Sequence, residues 1–324
     1  ENGAEINAKD EHGKTALHLA IDKWNLDDVK YLVENGAEVN AKDEDGKTAL
    51  HLATKRWHVD FVKYLVENGA EINAKDEHGK TALHLAIVEP SLYVVKYLVE
   101  NGAEVNAKDE RGKTALHLAI AESSLDVVKY LVENGAEVNA KDEEGKTALH
   151  LVATKRWNVD FVKYLVENGA EINAKDEHGE TALHLAADDW NLNVVKYLVE
   201  NGAEVNAKDE HCKTALHLTT EKRHLNVVKY LVENGAHVNA KDEHGKTALH
   251  LASDKWNLNA VKYLVENGAE LNAKNEGGRM PLDLAKDETV VNYLKGEHAK
   301  LLDAKDKKIN EVRSLAVQFT LANP

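Results

Sequence analysis

The pentapeptide Thr-Ala-Leu-His-Leu begins at Thr15, Thr48, Thr81, Thr114, Thr147, Thr181, Thr214 and Thr247, and a degenerate copy runs from Met280 to Leu284. Successive copies stand 33 residues apart, except for a step of 34 between Thr147 and Thr181. A constant period of this size specifies a repeat architecture: each module is too small to bury its own apolar face and leans on its neighbours. A length of 324 residues would otherwise suggest two domains. Stacking removes that limit, because the core grows lengthwise with each added module.

One unit shows how the pattern folds. Thr15 is a good N-cap, and His18 stands three residues on, where its side chain can reach back to the cap. Leu17, Leu19 and Ala20 supply the apolar side of a first helix of about two turns. Asn25 reads as the N-cap of a second helix with an apolar stripe at Leu26, Val29, Leu32 and Val33. Gly36 ends it as a left-handed C′ residue. Ala37 to Lys47 then holds Asp43-Glu44-Asp45-Gly46, a turn with glycine where positive φ is wanted. The predicted unit is helix, tight turn, helix and a hairpin-like loop.

These residues resemble ankyrin repeats. Asp10-Glu11-His12-Gly13-Lys14-Thr15-Ala16-Leu17-His18-Leu19-Ala20 and Gly36-Ala37-Glu38-Val39-Asn40 match the family pattern. The departures are Ala after Thr in place of Pro, Glu in place of Asp before Val-Asn, and replacement of the usual Gly between the helices. The resemblance spans residues 1 to 294 and implies an all-α solenoid of helix-turn-helix units with projecting β-hairpin-like loops. It also implies a non-catalytic module that binds a partner protein along a concave groove of loop tips and first helices. Residues 1–276 are expected to form the array, beginning mid-repeat like a fragment, and 277–297 a degenerate C-terminal cap repeat. In the 298–324 extension, Ile309, Val312, Leu315, Ala316 and Phe319 follow a helical stripe. They predict a helix over about 307–321 that folds back on the last unit, the rival being a free amphipathic segment that docks another domain.

Variation from copy to copy concentrates in two places, the loop tip and the end of the first helix. By resemblance both line the groove. The partner-binding candidates are therefore His12, Asp45, His78, Arg111, Glu144, His178, His211 and His244 at the tips, with Lys23, Trp24, Arg56, Trp57, Glu89, Glu122, Arg156, Trp157, Asp189, Trp190, Arg223, Lys255 and Trp256 at the helix ends. Every tryptophan falls on the position where the family has Gly. A partly exposed Trp suits an interface, and it also suits packing over its own turn. Trp lacks glycine's easy access to φ > 0, so the sequence leaves the geometry of this turn open. Residues 53–79 and 153–179 differ only at His58 and Asn158, and the second block carries an extra residue near Val152. A local distortion at Leu151–Thr154 is expected, since an insertion rotates a helix face by about 100°.

A formal net charge of −15 argues against nucleic acid or an anionic membrane as partner and suits a basic protein. One cysteine, Cys212, permits no intramolecular disulfide and suits an intracellular setting, cytoplasmic or the cytosol of a host cell. No apolar run reaches membrane length. The tip histidines recur once per module, about 10 Å apart, too far to share a metal ion. No cofactor, metal or catalytic set is indicated, and Cys212, in a glycine slot, has no base beside it in the sequence pattern. Leu32 to Asn40 and Leu65 to Asn73 fit the pattern of asparagine-hydroxylation substrates in the family. A monomer is expected. The alternatives are a rigid spacer in a larger multidomain protein, a host-directed effector, or a designed array.

Overall fold

The computed structural model describes residues 5–54, 59–88, 91–154, 159–255 and 257–322, with side chains described as far as 313. It divides into two compact units, Glu1–Glu177 and His178–Pro324, and every regular element among the described residues is helical. The first unit holds the helix pairs Ala16–Asp22 and Leu26–Glu34, Ala49–Ala53 and Val59–Glu67, Ala82–Val88 and Leu92–Glu100, Ala115–Ala121 and Leu125–Glu133, and Ala148–Ala153 and Val159–Glu167. The second holds Ala182–Asp188 and Leu192–Glu200, Ala215–Glu221 and Leu225–Glu233, Ala248–Asp254 and Leu258–Glu266, then Pro281–Leu284 and Glu288–Ala322. The expected hairpin-like loops form as hydrogen-bonded turns without strands.

Helices this short do not survive alone in water. The first helix of each of these repeats is therefore fastened at its start by a side chain that also reaches the next repeat. In the first unit the backbone N–H of Thr15, Thr48, Thr81 and Thr114 donates to Nδ1 of the histidine three residues on, at 3.1–3.2 Å. An N–H can only donate, so Nδ1 is the acceptor and the ring proton sits on Nε2. That Nε2–H reaches the next repeat: His18 to the Lys47 carbonyl, His51 to Lys80, His84 to Lys113 and His117 to Lys146, at 3.0–3.2 Å. His184, His217 and His250 repeat the arrangement in the second unit. Burial pushes the imidazoles of His51, His84, His117, His217 and His250 below the ordinary histidine range, which holds them neutral.

Three further series tie each module to the next. Asn40 donates to the Gly69 carbonyl and accepts from Glu71 N–H, and Asn73 and Asn106 do the same one repeat on. Both arms of these side-chain amides are thus engaged. Lys42, Lys75 and Lys108 each donate Nζ to the carbonyl of the lysine that follows in register, at 2.7–3.0 Å. On the second helices Lys63 lies over Tyr97 and Lys96 over Tyr130, at 5.9 and 5.4 Å from the ring centroid.

The extra residue near Val152 produces no bulge. Counted from the capping threonine, Val152 and Ala153 take the buried places held by Ala53 and Thr54, and Thr154 turns out to solvent as Val88 does. The helix lengthens by one residue, Ala148–Ala153 against Ala49–Ala53. The expected distortion at Leu151–Thr154 is absent because apolar residues still fill the two inward positions, so no face has to rotate.

The C-terminal expectation also needs correction. Instead of a separate helix folding back, one helix runs unbroken from Glu288 to Ala322. Its start is the cap repeat's second helix, with Val290 and Leu294 buried and Asp287 accepting from Thr289 and Val290 N–H. Past His298, residues 299–313 are all exposed. Gly296 alone, at about 1 kcal/mol, does not outweigh the Lys, Leu and Ala residues that propagate the helix.

Candidate interaction surface

The loop tip is a tight turn built on aspartate. Asp43 Oδ1 accepts from Lys47 N–H, and Asp76 and Asp109 accept from N–H groups two and four residues ahead. The variable residue sits at the apex, and its carbonyl is taken: His12, Asp45, His78, Arg111 and Glu144 each accept the N–H of a glutamate in the next repeat, at 2.9–3.1 Å. His178, His211 and His244 do so in the second unit. All eight side chains point outward and are exposed. The backbone of the slot is fixed while its side chain is exposed.

Local charge modulates these tips. Asp45 receives Lys47 Nζ and Glu144 receives Lys146 Nζ, both at 2.7 Å. The Lys47 hydrogen bond holds the Asp45 carboxyl below its usual range. His78 Nδ1 lies 3.1 Å from Glu110, and in the second unit His178 and His211 stand 2.8 and 2.7 Å from Glu210 and Glu243. Among the described residues no group of three histidine, cysteine or acidic side chains converges to hold a metal ion. Between two repeats of the first unit, His78, Arg111, Lys80, Lys113 and Leu118 line a recess of about 320 Å3. Two predicted tips thus meet a first-helix side chain there.

At the helix ends, Lys23, Glu122, Arg223 and Lys255 are exposed and Asp189 is half-buried. Arg56, Trp57, Glu89, Arg156, Trp157 and Trp256 lie outside the described residues. The turn keeps its left-handed geometry without glycine: φ is +56° at Trp24, +57° at Ser123, +65° at Trp190 and +69° at Arg223. Trp24 is half-buried, edge-on to Phe61 at 5.9 Å between centroids. Trp190 lies 4.3 Å from the His224 ring yet stays 55 % exposed. Packing accounts for much of Trp24 and much less of Trp190.

Val88 and Tyr93, 47 and 79 % exposed, lie outside the candidate set. The signal for Tyr93 was available: Asp27, Asp60 and Asp126, or Asn193, Asn226 and Asn259, hold its place in other repeats. Cys212 takes φ +57° in the glycine slot of the loop turn and is half-buried. No described helix is long and apolar enough to cross a membrane.

Comparison with known proteins agrees with this geometry. The family described as "Ankyrin repeats (3 copies)" matches residues 40–109, 75–142, 140–209 and 210–275, and "Ankyrin repeats (many copies)" matches 1–53. Among solved structures, the crystal structure of the ankyrin repeat domain of Bcl-3, described as a unique member of the IkappaB protein family, is similar at 34 % identity and a TM-score of 0.61. That match covers 68 % of this chain and all of the Bcl-3 domain. No curated protein matches the chain.

Proposed function

The chain belongs to the ankyrin repeat family, a non-enzymatic protein-interaction scaffold, and from that premise we propose that each unit binds a partner protein through its loop tips and first-helix ends. One observation carries the reading. At the loop tips the residues that vary between repeats expose their side chains, while the backbone there is locked by the same inter-repeat hydrogen bond in every described copy. Such a frame can change its lining without refolding, and a pre-ordered lining binds with little ordering cost. Trp190 and Arg223, exposed in the same turn of successive repeats, are residue types enriched at interface hot spots. The net charge of −15 supports a partner with a basic binding face.

The test compares two variants of equal substitution number. One carries Arg111→Ala, Glu122→Ala, Trp190→Ala and Arg223→Ala at variable positions; the other carries Glu34→Ala, Glu67→Ala, Glu100→Ala and Glu133→Ala, exposed on the constant second helices. Both are expected to stay folded. Proteins retained by the native chain should be lost with the first variant and kept with the second. Equal retention by both would remove the tips and helix ends from the binding surface.

A further inference from the structure

Past His298 the terminal helix leaves apolar residues exposed. Leu301, Leu302, Ile309 and Val312 are 36, 50, 48 and 60 % exposed, on a stretch whose every residue from 299 to 313 faces water. A free helix in water is marginal, so this stretch gains by pairing. Its spacing says with what. Leu302 and Ile309 are seven residues apart, as are Lys305 and Val312, and the sequence carries the two series on to Ala316 and Phe319. Positions 302, 305, 309, 312, 316 and 319 alternate steps of three and four, the seam of a coiled coil. Lys305, Ile309 and Val312 line one open trough together with Lys308 and Arg313.

We propose that the terminal helix pairs with the terminal helix of a second copy as an antiparallel two-stranded coiled coil. Charge selects both the occupant and the direction. Lys308 and Arg313 flank the seam on opposite sides. A parallel pair would set Lys308 of one copy against Arg313 of the other, like against like. An antiparallel pair with Ile309 facing Val312 of the second copy sets Asp306 beside Arg313 of the second copy, and two-fold symmetry makes that pair twice. The same register puts Leu302 opposite position 319 and Lys305 opposite Ala316, where a long aliphatic stem can lie over a small residue. Lys305 on the seam weakens the pair and fixes its register. The seam spans about 27 Å, so association is reversible and concentration-dependent. This departs from the monomer that the sequence suggested.

The experiment is light scattering on the full chain over a concentration series. The mass should rise from 35.9 kDa toward twice that value. Ile309→Asp with Val312→Asp should hold the chain at single mass throughout, with the thermal melt of the repeats unchanged. Asp306→Arg alone and Arg313→Asp alone should each weaken association about tenfold, and the two together should restore it, because the pair is re-formed with its charges exchanged. A native chain that stays single at every concentration overturns the proposal. So does a dimer indifferent to the Ile309 and Val312 substitutions, or a charge exchange that fails to rescue.

Discussion

The turn at the loop tip and the turn between the helices both hold a residue in the left-handed region, yet they treat glycine in opposite ways. At the tip, Gly13, Gly46, Gly79, Gly112, Gly145, Gly179, Gly245 and Gly278 take φ of +68° to +73°. Between the helices Trp24, Ser123, Trp190 and Arg223 take +56° to +69°. The dihedrals nearly coincide, so they do not explain the difference. Proximity does. A Cβ at Gly46 would stand 2.8 Å from the Glu77 backbone nitrogen, and one at Gly112 2.9 Å from that of Glu143. Those nitrogens donate to the tip carbonyls of Asp45 and Arg111, so the approach is built into the stacking itself. From Gly13 to Gly245 the neighbour's backbone keeps glycine at the tip, whereas at Gly278, in the last repeat, nothing stands within 4 Å; between the helices glycine is dispensable.

Acid should pull the two turns apart with the largest effect. The buried histidines brace the tip turn, since His84 and His117 donate to the carbonyls of Lys113 and Lys146 that close it; none of these bonds reaches the turn between the helices. Burial lowers the folded-state pKa of His51, His84, His117, His217 and His250. The unfolded chain therefore takes up protons first as pH falls. The contribution of these rings is full above about 6.5 and is lost on acidification from there through the lowered folded values. Each can contribute a slope of up to about 1.4 kcal/mol per pH unit within that window. Urea melts between neutral pH and about pH 5 should show midpoints falling together. Midpoints that do not move would mean that the rings are not held neutral.

Crowding can be isolated next. Gly112→Ala adds a left-handed penalty of about 1–2 kcal/mol to an overpacking cost of about 1–3 kcal/mol. Gly69→Ala, at φ +88° with no heavy atom within 4 Å of the added Cβ, should carry the backbone penalty alone. Denaturant melts should rank the first variant well below the second. Equal losses would return the distinction to dihedrals.

This contrast marks where the sequence stopped being legible. The period, the Thr-x-x-His caps and the glycine turns were readable because each rests on residues within one unit. The reach from Gly46 to Glu77 was not, since nothing near Gly46 encodes where the next backbone passes. The same holds for Trp24: local preference argued against φ > 0, and the space that permits it belongs to the stack. Around Val152 the register counted from the start of the repeat proved the better guide, because two inward apolar positions define the helix whatever is inserted. At the C terminus the apolar stripe from Ile309 suggested a separate helix over about 307–321, although the Lys, Asp and Ala before it continue a helix as well as end one. Of the candidate surface, exposure at the tips was inferable from variability. The difference between Trp24 and Trp190 was not, because Phe61 and His224 lie in neighbouring repeats.

Cys212 is a natural breach of the tip rule, carrying a side chain at φ +57° where the other described tips carry glycine. Cys212→Gly removes a left-handed penalty of about 1–2 kcal/mol and the crowding of the tip, at a cost of about 0.4–1 kcal/mol through the freer unfolded chain, and should raise the midpoint of the second unit in reducing buffer. Ser123→Gly relieves the same penalty at the same cost through the freer unfolded chain, with no crowding to relieve. Its net gain should be the smaller of the two. A larger gain at Ser123 would contradict the crowding argument.

The smallest stability effect is expected at Trp190, and its smallness is what makes the substitution informative. Trp190→Gly removes a left-handed penalty of about 1–2 kcal/mol, loses a ring contact with His224 of about 0.5–1.5 kcal/mol, and frees the unfolded chain by about 0.4–1 kcal/mol. These oppose one another to within about 1 kcal/mol of zero. Trp24→Gly faces the same backbone balance but uncovers a more buried ring set edge-on to Phe61, so it should be the more destabilising of the two. A side chain that holds a strained dihedral without a stability return is retained for something other than the fold. If Trp190→Gly leaves the melt in place and abolishes partner retention, the indole serves the partner. If it lowers the midpoint as much as Trp24→Gly does, both rings are packing elements and the binding surface contracts to the loop tips.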